Sequence, residues 1–304
     1  MRVRRSGSGL EVLAPAKLNL FLEVFAKRND GYHELETLMT PIAWYDTLSL
    51  AVDPTGAVSL SIEPSSGFLR TQQRAAADQQ LPTGDTNLVV RAVKLLRERS
   101  GASLGARMHL VKRIPLAAGM GGGSSDAAAA LAAANTAWEL GWTHEQLASV
   151  AAELGSDVPF FLGRGPAICR GRGEIIEPLE RLAPLHFVVA KPPVGLSTAE
   201  VYRACRPAQE PHSLSALVDA LRAGRVGQAG RFLYNRLESA AVELCDWIAR
   251  LRNEFRRFDC VGHQMSGSGT SYFGLCRDAR HARRIAAALR GRGVAEIYAV
   301  AGCC

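Results

Sequence analysis

Lysine is scarce in this sequence, with five residues against thirty-one arginines. At Lys17 a compact ammonium, rather than a planar guanidinium fork, is therefore a candidate requirement. Long apolar runs are absent: none reaches the roughly 20 residues of a membrane-spanning helix. The opening Met-Arg-Val-Arg-Arg-Ser-Gly-Ser-Gly has no apolar core of the signal-peptide kind. A soluble, cytoplasmic chain with no membrane partner is expected. The seven cysteines are scattered, only Cys303 and Cys304 being adjacent, no CxxC pair occurs, and His263 has no partner at ligand spacing. Neither a zinc site nor a disulfide framework is supported, and reduced thiols are expected.

What is present is a 304-residue chain, 47% apolar and 21% charged, long enough for two modest domains with a sizeable core. Its net charge of +7 raises nucleic acid as a partner. The basic residues are dispersed along presumed helices, as in Arg91, Arg97 and Arg99 or Arg280, Arg283, Arg284 and Arg290. That is the pattern of solvated helix faces, and a small anionic substrate suits the balance without a nucleic acid.

The most informative stretch is residues 113–131. Gly119, Gly121, Gly122 and Gly123 crowd together, Ser124, Ser125 and Asp126 follow, and a run of alanines begins. Glycines let a backbone turn tightly and approach a ligand, while the first turn of a helix offers unpaired N–H groups and a positive dipole end. Such a segment cradles anions. It lacks the Lys-Ser/Thr ending of the common P-loop and the dinucleotide spacing, so it is either a helix-initiating turn or a phosphate loop of another kind.

Around it the chain alternates strands and helices. Residues 10–24 read as a strand, with Leu18, Leu20, Leu22 and Val24 at alternate positions and Lys17 near its start. Asp30-Gly31 makes a turn that delivers Tyr32 and His33 side by side, either as half-buried neighbours or as a pair that stacks on a base. Strands at 47–52 and 58–63 alternate as antiparallel strands do, 65–84 is polar and reads as a mobile loop, a helix runs from Asn87 to Gly101, and a strand at 107–114 feeds the glycines. The alanine-rich helix from Ser125 to about Leu140 is expected to be buried. Thr143 and Gln146 have capping-box spacing for a helix that Gly155 ends. Asp157, wedged before Val158, Pro159, Phe160 and Phe161, is placed equally well to cap a short helix and to serve as a catalyst. The Gly/Arg-rich texture at 163–173 is the expected seam, dividing the chain into 1–166 and 167–304. Beyond it come a strand at 186–190, helices at 198–204, 213–222 and 235–255, the tight Ser266-Gly267-Ser268-Gly269-Thr270, a strand to Cys276, a helix at 279–289 and a strand at 295–301. The order suggests an α+β layer with helices on one face of an antiparallel sheet.

Residues 15–20, 115–128 and 266–273 together resemble the three signature motifs of the GHMP small-molecule kinases. Lys17-Leu18-Asn19-Leu20, Gly31 to Leu35, the Gly-Gly-Gly-Ser-Ser-Asp run and Gly155 to Phe161 resemble one branch, whose acceptor is a cytidine diphosphate-linked methylerythritol. The likeness extends from about Val12 to Ala301. Met120 departs from the leucine common in the middle loop, the segment between Ile62 and Asp85 is longer than the family needs, and serines flank the glycines of the third motif.

The resemblance implies a two-domain GHMP kinase fold, with an N-terminal domain like ribosomal protein S5 domain 2 and a ferredoxin-like C-terminal domain. It implies ATP as co-substrate and Mg²⁺. Gly119, Gly121, Gly122, Gly123, Ser124 and Ser125 would wrap the phosphates, Ser125 or Ser124 near the metal. Asn87, Leu88, Lys112 and Pro115 would border the nucleotide. Tyr32 and His33 would hold the cytosine, Asn19 would orient the methylerythritol end, Thr198 and Tyr202 would line the acceptor side, and Gly267 and Gly269 would shape the wall between substrates. Asp157 would take the acceptor's proton, with Lys17 lowering that hydroxyl's pKa. Other small alcohols, such as homoserine or a mevalonate derivative, are the alternative acceptors. A non-catalytic nucleotide-binding module would need neither Lys17 nor Asp157. Monomer and homodimer stay open.

Overall fold

The computed structural model describes residues 2–6, 9–65, 81–180 and 182–303. Most of the polar stretch expected to be a mobile loop, residues 66–80, lies outside the described residues, as does Cys304. No helix among the described residues is long and apolar enough to cross a membrane.

Strands β1 (Arg2–Ser6), β2 (Gly9–Lys27) and β3 (His33–Asp53) form an antiparallel meander. The second strand, 19 residues long, is more than three times the usual length of about 5–6 residues because both its faces find apolar cover. Val12 and Ala14 enter one core, Ala16, Leu18, Leu20 and Phe21 a second, and Leu22 and Val24 a third. β4 (Val58–Pro64) pairs with β5 (Gly105–Lys112) in parallel, not antiparallel as its alternation suggested. The physical reason is the crossover between them, which carries helix α1 (Leu88–Ser100) and returns the chain in the same direction.

α2 (Gly122–Ala137) stops short of Leu140. Its Ala127, Ala128, Ala129, Ala130, Ala133 and Ala134 are fully buried, so α1 and β2 pack directly on its backbone. α3 (His144–Leu154) begins with the Thr143–Gln146 capping box that the spacing predicts. α4 (Val158–Leu162) is a single turn with Pro159 near its start. The expected boundary at 166/167 falls inside continuous sheet: β6 (Ala167–Gly171) pairs with β3, and β7 (Ile175–Pro178) pairs with β6. Sheet membership changes only after Pro178, because the edge of β3 at 35–39 is open to receive a strand.

Beyond it lie β8 (His186–Lys191), α5 (Thr198–Ala204), α6 (Ser215–Arg222), α7 (Val226–Ala229), β9 (Tyr234–Asn235), α8 (Leu237–Leu244), α9 (Asp246–Phe255), β10 (Gly262–Met265), β11 (Tyr272–Cys276), α10 (Ala279–Gly291) and β12 (Glu296–Ala301). The second sheet runs β10-β11-β8-β12 with every neighbour antiparallel, a ferredoxin-like order. The helix expected over 235–255 is two, α8 and α9, because Cys245 is extended (φ −154°, ψ 109°).

The two halves are bolted at Glu23 on β2, which is fully buried. Its carboxylate accepts from Arg236 at 2.6 and 2.8 Å and from the His212 and Val24 amides at 2.9 Å each. Burial pushes the Glu23 carboxyl up, but the Arg236 hydrogen bond, the two amides and the Arg236 charge outweigh it and hold its pKa below the ordinary value. Its contribution to stability is thus complete above the unfolded carboxylate pKa and is lost as pH falls through the lower folded value. Arg236→Ala leaves this carboxylate buried without its cation and is expected to lower the unfolding free energy by about 3 kcal/mol near pH 7. In urea titrations the gap to wild type should narrow below about pH 4; a gap independent of pH would show that Arg236 acts through packing alone.

Candidate active site

A cavity of about 810 Å³ is walled by the middle of β2, the glycine loop, the turn before β3, the approach to α4 and the first turns of α5. It brings together residues that lie far apart in the chain.

The loop's shape needs its glycines. Gly119 and Gly121 have φ of 69° and 67°, and a Cβ at Gly119 would stand 2.1 Å from the Ser266 carbonyl oxygen. At Gly121 a Cβ would meet the Phe161 ring at 2.8 Å. Gly121 is also the N-cap of α2 and has no side chain to cap it, so the amides of the first turn are left without a side-chain acceptor. The loop is tied to β2 by the Lys17 amide, which donates to the Met120 carbonyl at 3.0 Å.

Lys17 and Asp157, 140 positions apart in sequence, converge: Lys17 Nζ stands 3.5 Å from Asp157 Oδ2. The lysine side chain is 5% exposed and the aspartate 35%, so the carboxylate faces open space. Asp157 occupies the N-cap position of α4, yet its side chain makes no capping hydrogen bond. Lys17 Nζ also donates to Asn19 Oδ1 at 2.5 Å. Asn19 is oriented for this by donating through Nδ2 to Thr37 Oγ1 at 2.8 Å, which in turn donates to the Phe21 carbonyl at 2.6 Å. This chain of bonds leaves the asparagine no freedom to flip.

At the other end stand Tyr32 and His33. Tyr32 is 49% exposed, with the Arg172 guanidinium 4.8 Å from its ring centroid. The His33 and Tyr202 rings lie 5.3 Å apart. Burial, then the charge of Lys27, holds the His33 pKa below its ordinary value, so the imidazole is neutral at pH 7. Thr198 shares a 2.9 Å hydrogen bond with Ser268. Gly267 is on the wall, and a Cβ there would be 3.2 Å from both Lys17 Nζ and Asn19 Oδ1.

Leu88, Pro115, Gly122, Gly123 and Ser124 line the cavity, whereas four expected site residues do not. Asn87 caps α1, its Oδ1 accepting from the Val89 amide at 2.8 Å and its Nδ2 donating to the Pro82 carbonyl at 2.7 Å. Gly269 stands behind the turn, packed on Met265 and Gly119. Ser125 is fully buried, and its Oγ has no hydrogen-bond partner. Lys112, 2% exposed, lies beneath the loop and donates to Asp46 and, at 2.6 Å, to Asp126. Burial opposes the Lys112 charge, but Asp126 and Asp46 outweigh it and raise the ammonium's pKa. Burial is likewise the largest influence on Asp126, whose carboxyl is pushed up to about 7 against the pull of Lys112. Lys112 is thus part of the loop's foundation, not of the cavity wall. Among the described residues, no group of three or more His, Cys, Asp or Glu is arranged to hold a metal ion.

Three cations on the wall went unremarked in the sequence: Lys27, Arg172 and Arg203. Lysine scarcity was a usable signal for Lys27. Arg172 was hidden because the Arg-Gly-Arg-Gly texture reads as a linker until β6 pairs with β3.

The profile of the GHMP kinases N-terminal domain matches residues 87–165, and that of the GHMP kinases C-terminal domain matches residues 217–295. The chain is 43% identical over 283 residues to the 4-diphosphocytidyl-2-C-methyl-D-erythritol kinase of Pelotomaculum thermopropionicum, covering 92% of this chain and 94% of that protein. It is 38% identical to the protein of the same name from Shouchella clausii, covering 95% and 93%. A crystal structure of 4-(cytidine 5'-diphospho)-2C-methyl-D-erythritol kinase superposes with a TM-score of 0.76 at 39% identity, over 97% of this chain and 99% of that one. A homoserine kinase from Cytophaga hutchinsonii, at 20% identity and a TM-score of 0.73 over 99% and 96%, shares the fold. With its two sheets, its glycine loop and its Lys–Asp pair, the chain belongs to the GHMP kinases, in the 4-diphosphocytidyl-2-C-methyl-D-erythritol kinase family.

Proposed function

We propose that this protein transfers the γ-phosphoryl group of ATP to the 2-hydroxyl of 4-diphosphocytidyl-2-C-methyl-D-erythritol, a step of non-mevalonate isoprenoid precursor synthesis. The observation that carries the reading is the approach of Lys17 Nζ to Asp157 Oδ2, 3.5 Å, on the wall of the cavity that the glycine loop also borders. Phosphoryl transfer asks the protein for alignment, charge stabilisation and a base beside the attacking oxygen.

The acceptor hydroxyl loses its proton to Asp157 as its oxygen bonds to the γ-phosphorus, the bond from that phosphorus to the bridging oxygen breaks, and ADP leaves. Lys17, clamped by Asn19, stabilises the charge that develops on the attacking oxygen. The loop Gly119 to Ser124 cradles the phosphates, and Leu88 and Pro115 border the nucleoside. Tyr32 stacks on the cytosine, and neutral His33 reads its edge. Thr198, Tyr202 and Gly267 bound the methylerythritol. Mg²⁺ belongs to this reading: Ser124 on the cavity wall and Ser125, whose buried Oγ lacks a protein partner, are the hard oxygen donors that would hold it. Bound there, the ion would supply neutralisation of phosphate charge.

An ADP-release assay with Mg²⁺ against diphosphocytidyl-methylerythritol, homoserine and mevalonate tests the assignment; turnover confined to either of the last two would overturn it. Asp157→Asn is expected to lose roughly 10²–10⁴ in kcat while still binding ATP, and unchanged turnover would exclude it as the base. His33→Ala should raise KM for the cytidine substrate at least about tenfold, the loss of a buried hydrogen bond, with KM for ATP little changed. Equal effects on both substrates would argue against base recognition by His33.

A further inference from the structure

Lys191 ends β8 and is 4% exposed. Its Nζ donates to two backbone carbonyls, Pro192 O and Val194 O, at 2.6 Å each. Among the described residues no carboxylate reaches ion-pair distance from it. Glu296, its cross-strand neighbour on β12, and Cys245, at the head of α9, are the titratable groups that face it. Burying an ammonium on neutral oxygens alone is unfavourable, and a turn containing two prolines needs no such device.

What the ammonium organises is the segment 192–195. The Val194 carbonyl also accepts from Thr270 Oγ1 at 2.6 Å, which ties the segment to the Ser266–Thr270 turn. Gly195 lies against Ala117 of the phosphate-side loop so closely that a Cβ would stand 2.8 Å from the Ala117 Cβ. Ala117 is itself held at φ 47° and lines the cavity. Three residues on, α5 starts and carries Thr198 and Tyr202 to the wall.

We propose that Lys191 is a positioning residue for the acceptor: by gathering the Pro192 and Val194 carbonyls around its ammonium it presses residues 192–195 onto the phosphate loop and so sets where Thr198 and Tyr202 meet the substrate. This rests on the kinase reading given above. Burial, opposed by Glu296 and Cys245, holds the Lys191 pKa down to about 8. Above that pH the neutral amine keeps N–H donors but loses the charge that strengthens their bonds, and the segment loosens.

The test is steady-state kinetics on the whole enzyme with diphosphocytidyl-methylerythritol and ATP, from pH 6.5 to 9.5, for wild type, Lys191→Met, Lys191→Arg and Thr270→Val. Lys191→Met should raise KM for the acceptor about tenfold or more, the loss of hydrogen bonds to a charged donor, and leave KM for ATP within about twofold. Wild type and Lys191→Arg differ in the alkaline limb: kcat/KM for the acceptor falls above about pH 8 in wild type and stays level in Lys191→Arg, whose guanidinium remains charged. Thr270→Val, which unties the same segment from its other side, should reproduce the acceptor-selective KM change whether or not Lys191→Met folds. Equal changes in both KM values, or an unchanged acceptor KM in Thr270→Val, would overturn the proposal. Wild type that fails to phosphorylate the cytidine acceptor would instead overturn the kinase reading.

Discussion

Lys112 buries its ammonium between Asp46 and Asp126, and the shape of the phosphate-side loop depends on that contact. Asp46 comes from β3 and accepts from the Arg113 and Ile114 amides with its second oxygen, so it holds the chain as it leaves β5. Asp126 lies in the first turn of α2. One ammonium thus pins the entrance and the exit of the glycine turn to the same strand. Such a cluster is a weak source of net stability, since desolvation offsets most of the attraction, but losing Lys112 would leave two carboxyls buried without their cation. It specifies one arrangement of the loop.

A second constraint acts on β2. Because this strand crosses three apolar clusters, its register cannot slip by a residue without turning Leu18, Leu20 and Leu22 away from their cores. Lys17 and Asn19 flank Leu18 on that strand and inherit its rigidity. The polar pair is therefore fixed by hydrophobic packing on either side. Catalytic geometry of the proposed kind asks for this: side chains on a buried strand, not on a mobile loop.

The C-terminal half contributes walls more than chemistry. Its Ser266–Thr270 turn backs the glycine loop, with Ser266 Oγ donating to the Gly119 carbonyl at 3.1 Å, and Thr198, Ala199, Tyr202 and Arg203 line the same cavity. Glu23 and Arg236 keep the halves in register. The cavity is in this sense an interface, and neither half on its own encloses it.

Much of this was legible in the chain. The glycine run, the capping box at Thr143 and the alanine-rich helix follow from local backbone chemistry, and motif order was enough to point to a GHMP kinase. Local chemistry does not tell where a polar side chain aims. Asp157 occupies a cap position by sequence and yet does not cap; Asn87 was expected at the nucleotide and spends its side chain on α1. Lys112 finds its partners 66 and 14 residues away, a juxtaposition that no spacing rule anticipates. The parallel pairing of β4, the place of β6 in the first sheet and the cations Lys27 and Arg172 on the wall likewise follow from long-range strand pairing. Sequence determined which segments turn, coil or extend, because those preferences reside in φ, ψ and side-chain shape. Tertiary structure alone decided which charges meet, because burial and distance are properties of the packed chain.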